Sequence, residues 1–554
     1  MTELVAPDDQ DQPRSAFAGR RAWIIAFTGF FLLLGAWALA SPYNGTPDEE
    51  SHLMRAAGVA SGQVVAPMAP DSEGGGGYVT LPHSLVPASA CWQFDASKSA
   101  ICAEEPGGAT TATTTRSPAG RYHPWYYAVV GGPLVLFPNW AGIILARLIS
   151  AALCAALLAT ALLDAMRWSR YRFAVAGVLV SATPTAAMLG GAINPNGAEI
   201  AAAIAFFAAA VPLFNAKQAE RSRSLLWHAG IAAVALVSLR SDGPLWFSVA
   251  IASLLLPWRW ATLRGLWAWR AARWWGLAIG FSMLVSVAWT ELLKTTSFMG
   301  DFTYGQHRKT VEAILLESDL ERGYVDEMVG VGGWLDTRLP SSAYLIWESV
   351  AVALILAGFI LGNRLSRWRL SALAVVGLGI PFALQILWVN KVGFITQGRY
   401  LLPVASGLPI LGAFLIQHYG VSAVKSRGVV RFCVVTLLPL HLVFLWYTMV
   451  RYQHGINWKL GLRGLNPLAG PWHPPLGSLA PLLTSVVGIL VVGSFVWRAA
   501  SVGTPGSAPA TRRPRDAAQH DGTGDRTNGS DTPPPEDAQV RSWPVASDPP
   551  LATR

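Results

Sequence analysis

The chain has 554 residues, 52% of them hydrophobic and only 14% charged, with 24 tryptophans. Soluble domains carry about 25% charged residues, so this composition excludes an ordinary soluble fold and points to a polytopic membrane protein. The net charge of +9 comes from short basic clusters set between apolar runs. That pattern orients a chain in a bilayer and argues against nucleic acid as a partner.

In chain order, residues 1–21 form an N-terminal segment ahead of a membrane domain expected over 22–498. Apolar runs long enough to cross a bilayer fall near 22–40, 140–163, 173–192, 197–214, 225–239, 243–257, 275–293, 342–362, 370–389, 400–417, 430–450 and 479–497. They predict an all-α bundle of about twelve transmembrane helices. The runs at 225–239 and 243–257 are short and share the tight turn Arg240-Ser241-Asp242-Gly243. Ala38-Leu39-Ala40 mimics a signal-peptidase site. The run before it exceeds the usual length of about 7–15 residues, so a retained first span is expected. Residues 122–138 are apolar but short and contain Gly131-Gly132-Pro133, which reads as an interfacial or re-entrant helix.

Basic residues fix an expected orientation. With the N-terminus inside, Arg20/Arg21, Arg167/Arg170/Arg172, Arg364/Arg367/Arg369 and Lys425/Arg427/Arg431 all become cytoplasmic. The acids collect on the other side, in a large first loop at 41–139 and further loops at 294–341 and 451–478. Residues 499–554 are Pro, Gly, Ser, Thr, Asp and Arg with hardly an aromatic. They are expected to be a disordered cytoplasmic tail in a plasma-membrane protein.

The first outer loop opens with Ser41-Pro42-Tyr43-Asn44-Gly45-Thr46-Pro47-Asp48-Glu49-Glu50-Ser51-His52. Carboxylates and a histidine at a membrane rim are costly to desolvate and mark a reaction or ion site. Thr46-Pro47-Asp48-Glu49 also satisfies a helix start, with Thr46 as N-cap, Pro47 first and Glu49 closing a capping box. A helix from Pro47 would place Asp48, His52 and Arg55 on one face, where a carboxylate beside apolar surface can serve as a base. Cys91 and Cys102 share this loop, and in an oxidising compartment a disulfide is the natural reading. Cys154 and Cys433 lie in apolar runs and read as small buried hydrophobes. His228 and His441, within spans, are expected to pack against helix neighbours.

Four segments, in order, carry a resemblance: Pro47-Asp48-Glu49-Glu50-Ser51-His52 after the first span, Arg121-Tyr122-His123-Pro124-Trp125-Tyr126-Tyr127, Ala192-Ile193-Asn194-Pro195-Asn196-Gly197-Ala198-Glu199, and Gln397-Gly398-Arg399-Tyr400-Leu401-Leu402-Pro403. Across residues 20–500 the chain resembles the bacterial predicted membrane proteins of domain-of-unknown-function family 2142. That family is in turn similar to the GT-C glycosyltransferases, multi-span enzymes that use a lipid-phosphate sugar donor outside the cytoplasm.

The resemblance implies a membrane glycosyltransferase moving a sugar from a polyprenyl-phosphate donor to an envelope glycan or lipid acceptor. It assigns the base, or a metal ligand, to Asp48, with Glu49 second and His52 beside it. The second acidic position falls on Asn194, Asn196 and Glu199, where amides weaken a claim for the divalent metal such a site could use. The leaving phosphate needs positive charge, for which Arg399 is the first candidate, with Arg121, His307 and Arg308 behind it. A lipid or glycan transporter or flippase, or a non-catalytic partner in envelope assembly, are the alternatives. Few charges in mid-span and long acidic outer loops favour the enzyme.

Overall fold

The computed structural model describes residues 19–86, 91–102, 106–107, 109–215, 222–256, 260–296, 308–417, 421–456 and 464–501, all within the unit Met1–Pro505. His307, residues 1–18 and the expected tail from 502 onward lie outside the described residues.

The chain opens with α1 (Arg20–Ala40), followed by α2 (Glu49–Ala60), β1 (Gly77–Pro82), β2 (Ala112–Ser117), α3 (Pro124–Val130) and α4 (Gly132–Leu136). Then come α5 (Trp140–Arg167), α6 (Ala174–Ser181), α7 (Pro184–Gly190), α8 (Pro195–Asn215), α9 (Arg223–Leu239), α10 (Gly243–Leu255), α11 (Trp260–Trp267) and α12 (Arg270–Leu292). The rest is α13 (Thr310–Gly330), β3 (Val331–Gly332), β4 (Thr337–Arg338), α14 (Ser341–Leu361), α15 (Arg364–Val392), α16 (Gly398–Ala405), α17 (Gly407–Ile416), α18 (Ala423–His454) and α19 (Leu479–Ala499).

Among the described residues every apolar run is mostly helix. Among the described residues nine helices are long and apolar enough to cross a membrane, counting α16 and α17 as one. The run at 173–192 is a bent pair, α6 and α7, which meet at 65° and would make a tenth span. The break at Ala182-Thr183 frees backbone groups in an apolar setting, where each must find a partner. Trp347 Nε1 donates to Val180 O, Ser181 Oγ donates to Ser406 O, and Thr183 Oγ1 caps the Ala186 N–H. The runs at 225–239 and 243–257 give helices of only 17 and 13 residues, α9 and α10. The segment at 122–138 is α3 and α4, of 7 and 5 residues, too short to span, as its glycines and proline implied.

α8 is almost wholly enclosed, whereas α12 turns nearly all of its surface outward. α1 packs closely on α19, because a Cβ on Gly29 would meet Val492 Cγ2 at 2.6 Å and one on Gly488 would meet the Leu33 N at 2.7 Å. The long segment between α1 and α5 folds over one end of this bundle. β1 and β2 pair antiparallel there, Gly77 opposite Ser117 and Pro82 opposite Ala112.

Cys91 and Cys102 form a disulfide, with Cα atoms 6.2 Å apart, and Cys154 and Cys433 are free and buried. The small loop it closes rests on α18. Arg451 donates to the carbonyls of Trp92 and Lys98 and pairs with Asp336 at 2.5 Å. Changing both cysteines to serine should lower stability by about 2–4 kcal/mol. Two free thiols in non-reduced peptides of the wild type would count against the bond.

Candidate active site at the Asp48 end of the bundle

The residues singled out in the sequence meet where the loop after α1 approaches the ends of α7, α9 and α16. The expected capping box does not form. Helix α2 starts at Glu49, and Thr46 Oγ1 is buried without a partner. Asp48 occupies the cap position in the left-handed region, φ 64°, with no side-chain cap bond. Such a conformation is uncommon for a residue with a side chain and collects at functional sites. Its consequence is that the Asp48 carboxylate is turned away from the helix end and left for other work.

That carboxylate meets Arg399. Nη2 of Arg399 donates to Asp48 Oδ2 and, at 2.9 Å, to the Tyr400 hydroxyl, while Nη1 donates to Pro47 O at 3.2 Å. The pair is lopsided in exposure: the Asp48 side chain is 46% accessible and that of Arg399 only 3%. Arg399 Nε, also buried, has no hydrogen-bond partner. Burial alone would push the Asp48 carboxyl up, but Arg399, His52 and Arg240 together hold it below the ordinary aspartate value. The backbone of α16 is drawn in close to make this possible. A Cβ on Gly398 would meet Tyr324 O at 2.1 Å, and its N–H donates to Glu327 Oε2 at 2.6 Å.

Glu49 points elsewhere. Arg147, from within α5, donates from Nε and Nη2 to its two oxygens at 2.7 and 2.6 Å, and the Ile193 N–H adds a third bond at 3.1 Å. The same guanidinium donates to Ser41 O and Pro42 O. Glu49 is thus a fully buried structural anion, and Asp48 is the accessible member of the two.

His52 lies one turn on. Its Nδ1 shares a 2.8 Å hydrogen bond with the Tyr127 hydroxyl, and its ring lies 5.9 Å from Tyr122. Arg55 is spent on the carbonyls of Gln63, Val64 and Tyr122. Burial pulls the His52 pKa from 6.5 down to about 3, against the pull of Asp48. The unfolded chain takes up this proton below about pH 6.5 and the folded chain does not, so acidification destabilises the fold. Thermal stability should therefore fall between pH 6.5 and 4.5, and His52→Asn should flatten that fall. An unchanged slope in the variant would contradict a neutral buried His52.

The second acidic segment joins the same cluster. Asn194 Nδ2 donates to Pro47 O at 3.1 Å and its Oδ1 accepts from the Asn196 N–H at 3.0 Å. Asn196 Nδ2 donates to Glu199 Oε2 at 3.0 Å, and Glu199 pairs with Arg240 at 3.3 Å. Arg240 also holds Asp242 at 3.0 Å. Arg240 and Arg399 lie over one Tyr400 ring, 5.0 and 4.9 Å from its centroid. Two guanidiniums thus lie against one aromatic ring beside a half-exposed carboxylate. Asn196 Oδ1 and Glu199 Oε1 are buried without partners.

Other candidates are not gathered in. Arg121 donates to Leu293 O at 2.5 Å and Ala66 O at 2.7 Å, so it ties loops together. Arg308 reaches Glu312 at 3.6 Å and stacks on Phe394. His228 is bonded to Asp164 at 2.9 Å, and His441 packs on Trp347. Among the described residues no three His, Cys, Asp or Glu side chains converge. With Asp48 held by a guanidinium and Glu199 by an amide and a guanidinium, these residues do not fit a divalent cation.

Arg240 and Arg147 are the residues that sequence reading passed over. Arg240 hid in a turn read only for its hairpin geometry. Its signal was an arginine at the acidic end of a span, against the distribution of the other basic residues. Arg147 sits inside an apolar run, and a charge there calls for a buried partner.

Residues 31–408 match the family described as predicted membrane protein, DUF2142. The chain belongs to this family. No curated protein matches it. Among solved structures, ArnT from Cupriavidus metallidurans is similar in its apo state, with 14% identity, a TM-score of 0.41, and coverage of 87% of this chain and 77% of ArnT. The same protein bound to undecaprenyl phosphate gives 15% identity and a TM-score of 0.40, covering 88% and 78%. The arabinosyltransferase EmbB from Mycobacterium smegmatis gives 14% identity and a TM-score of 0.33, covering 88% of this chain and 43% of EmbB.

Proposed function

We propose that this multi-pass membrane protein is a glycosyltransferase that moves a sugar from a polyprenyl-phosphate donor to an envelope acceptor on the extracytoplasmic face, with both termini cytoplasmic. The observation that carries the reading is the Asp48–Arg399 pair: an accessible carboxylate bonded to a buried guanidinium that retains an unpartnered Nε. A donor phosphate docking on Arg399 competes with Asp48 for that guanidinium. As the ion pair loosens, the Asp48 carboxyl loses the charge that depresses it and rises toward the range of a useful base. Asp48 then takes the proton of an acceptor hydroxyl. That oxygen forms the new bond to the anomeric carbon, and the sugar–phosphate C–O bond breaks with its electron pair leaving on the lipid phosphate. Arg399, with Arg240 across the Tyr400 ring, stabilises the charge that builds there.

The guanidinium fork is what makes Arg399 specific, since it can hold two oxygens of one phosphate at once. Arg399→Lys keeps the charge and loses the fork. With purified protein in nanodiscs, undecaprenyl phosphate should bind the wild type and bind Arg399→Lys at least about tenfold more weakly, the cost of one charge-assisted bond. Equal affinity in both removes Arg399 from the site. Binding followed by transbilayer movement without transfer would instead favour a flippase.

A further inference from the structure

The segment that the disulfide closes carries a feature that neither the fold nor the Asp48–Arg399 pair requires. Phe94 has a left-handed backbone, φ 60°, and is 71% exposed. A bulky ring gains nothing from that conformation, where glycine or asparagine would be relaxed. A single exposed aromatic is ordinary on a protein surface. A strained one built onto a rigid support is not.

The support runs straight to the candidate site. The Phe94 ring meets Trp334 edge-on, with centroids 5.4 Å apart at 67°. Trp334 is 9% exposed, and its Nε1 donates to Asn44 O at 3.0 Å. Asn44 Nδ2 donates to Glu50 Oε2 at 2.6 Å, and the Glu50 N–H returns a bond to Asn44 Oδ1 at 3.3 Å. Glu50 keeps part of its surface and borders Gln93, the neighbour of Phe94. The loop cannot swing freely: the disulfide closes it, Arg451 grips its carbonyls, and the Tyr452 hydroxyl donates to Gly45 O. An exposed aromatic ring and a part-exposed carboxylate therefore stand together, Gln93 Nε2 is buried beside them without a hydrogen-bond partner, and Glu50 lies two residues along the chain from Asp48.

We propose that Phe94, Gln93 and Glu50 form a saccharide-binding subsite, which places a sugar ring of the acceptor beside Asp48. The chemistry matches a carbohydrate on both of its faces. The C–H edges of a sugar ring carry partial positive charge and pack on the negative face of an aromatic. A carboxylate and an amide accept from and donate to neighbouring hydroxyls. The subsite assigns the acceptor to the glycan class rather than the lipid class, and its role as the acceptor side rests on the glycosyltransfer reading above.

The test uses the full-length protein in nanodiscs with soluble arabino-, manno-, galacto- and gluco-trisaccharides, read by saturation-transfer NMR. At least one trisaccharide should receive saturation on its ring protons. Phe94→Ala and Glu50→Gln should each weaken that binding about tenfold, the scale of an anchor contact, while leaving undecaprenyl phosphate binding unchanged. Phe94 is exposed, so its alanine variant should melt with the wild type, and that measurement accompanies the binding. If no trisaccharide binds, or if both variants bind as tightly as the wild type, the subsite is overturned and the donor reading stands. If the trisaccharide response depends on Phe94 but undecaprenyl phosphate does not bind, the subsite stands and the donor reading falls.

Discussion

Replacing Arg147 with methionine should destabilise the protein by about 3–5 kcal/mol, the cost of leaving a buried charge without its partner. Glu49 is 1% exposed and takes both of its charge-assisted bonds from this one guanidinium. Removing the arginine also strips donors from Ser41 O and Pro42 O, which hold the chain as it leaves α1. Arg147→Met combined with Glu49→Gln removes both charges, so the double variant should recover part of the loss, and the difference from additivity measures the pair. Thermal unfolding in detergent reads all the variants. An Arg147→Met protein that melts with the wild type would show that Glu49 is not held as an ion in the fold. The pair matters for function because Glu49 also accepts from the Ile193 N–H, joining the two loops that flank Asp48.

The spans were legible in the sequence because hydrocarbon leaves few alternatives to a long apolar helix. That 122–138 would not form one long helix was legible from the glycines and the proline that interrupt it. At the site, Asp48 could be singled out because polar groups at a membrane rim are expensive and few, whereas Asn194, Glu199 and Arg399 were reached through the segments that carry the family resemblance. What could not be read was how the roles divide. Asp48 and Glu49 are neighbours with similar chemistry, and the left-handed turn at Asp48 separates them. Sequence offered a capping box there beside a catalytic reading, since Thr46, Pro47 and Glu49 each suit it. The box lost because Arg147 claims Glu49 from a helix far along the chain. Arg121 and Arg308 stood behind Arg399 in sequence as further candidates for the phosphate. Only packing shows that Arg121 satisfies backbone carbonyls and Arg308 a nearby glutamate.

Asp48→Asn should reduce sugar transfer by about 10²–10⁴-fold, the usual contribution of a positioned general base. The amide keeps the shape of the side chain and still offers an oxygen to Arg399, so the fold should change little. Because Asp48 makes no cap bond to α2, loss of helix capping cannot account for the effect. Donor binding should move the other way. A neutral amide competes for the Arg399 guanidinium less strongly than the carboxylate did, and undecaprenyl phosphate should bind the variant at least as well as the wild type. That opposition, turnover lost while donor affinity holds or rises, distinguishes a base from a residue that merely shapes the site. The wild-type profile should agree: Arg399 holds Asp48 low in the free protein, so protonating it there requires acid below the ordinary aspartate range. The measurements are envelope glycan from cells carrying each form and undecaprenyl phosphate binding to the purified proteins. Unchanged glycan with Asp48→Asn would return this carboxylate to a structural part, as the exposed partner that keeps Arg399 in place.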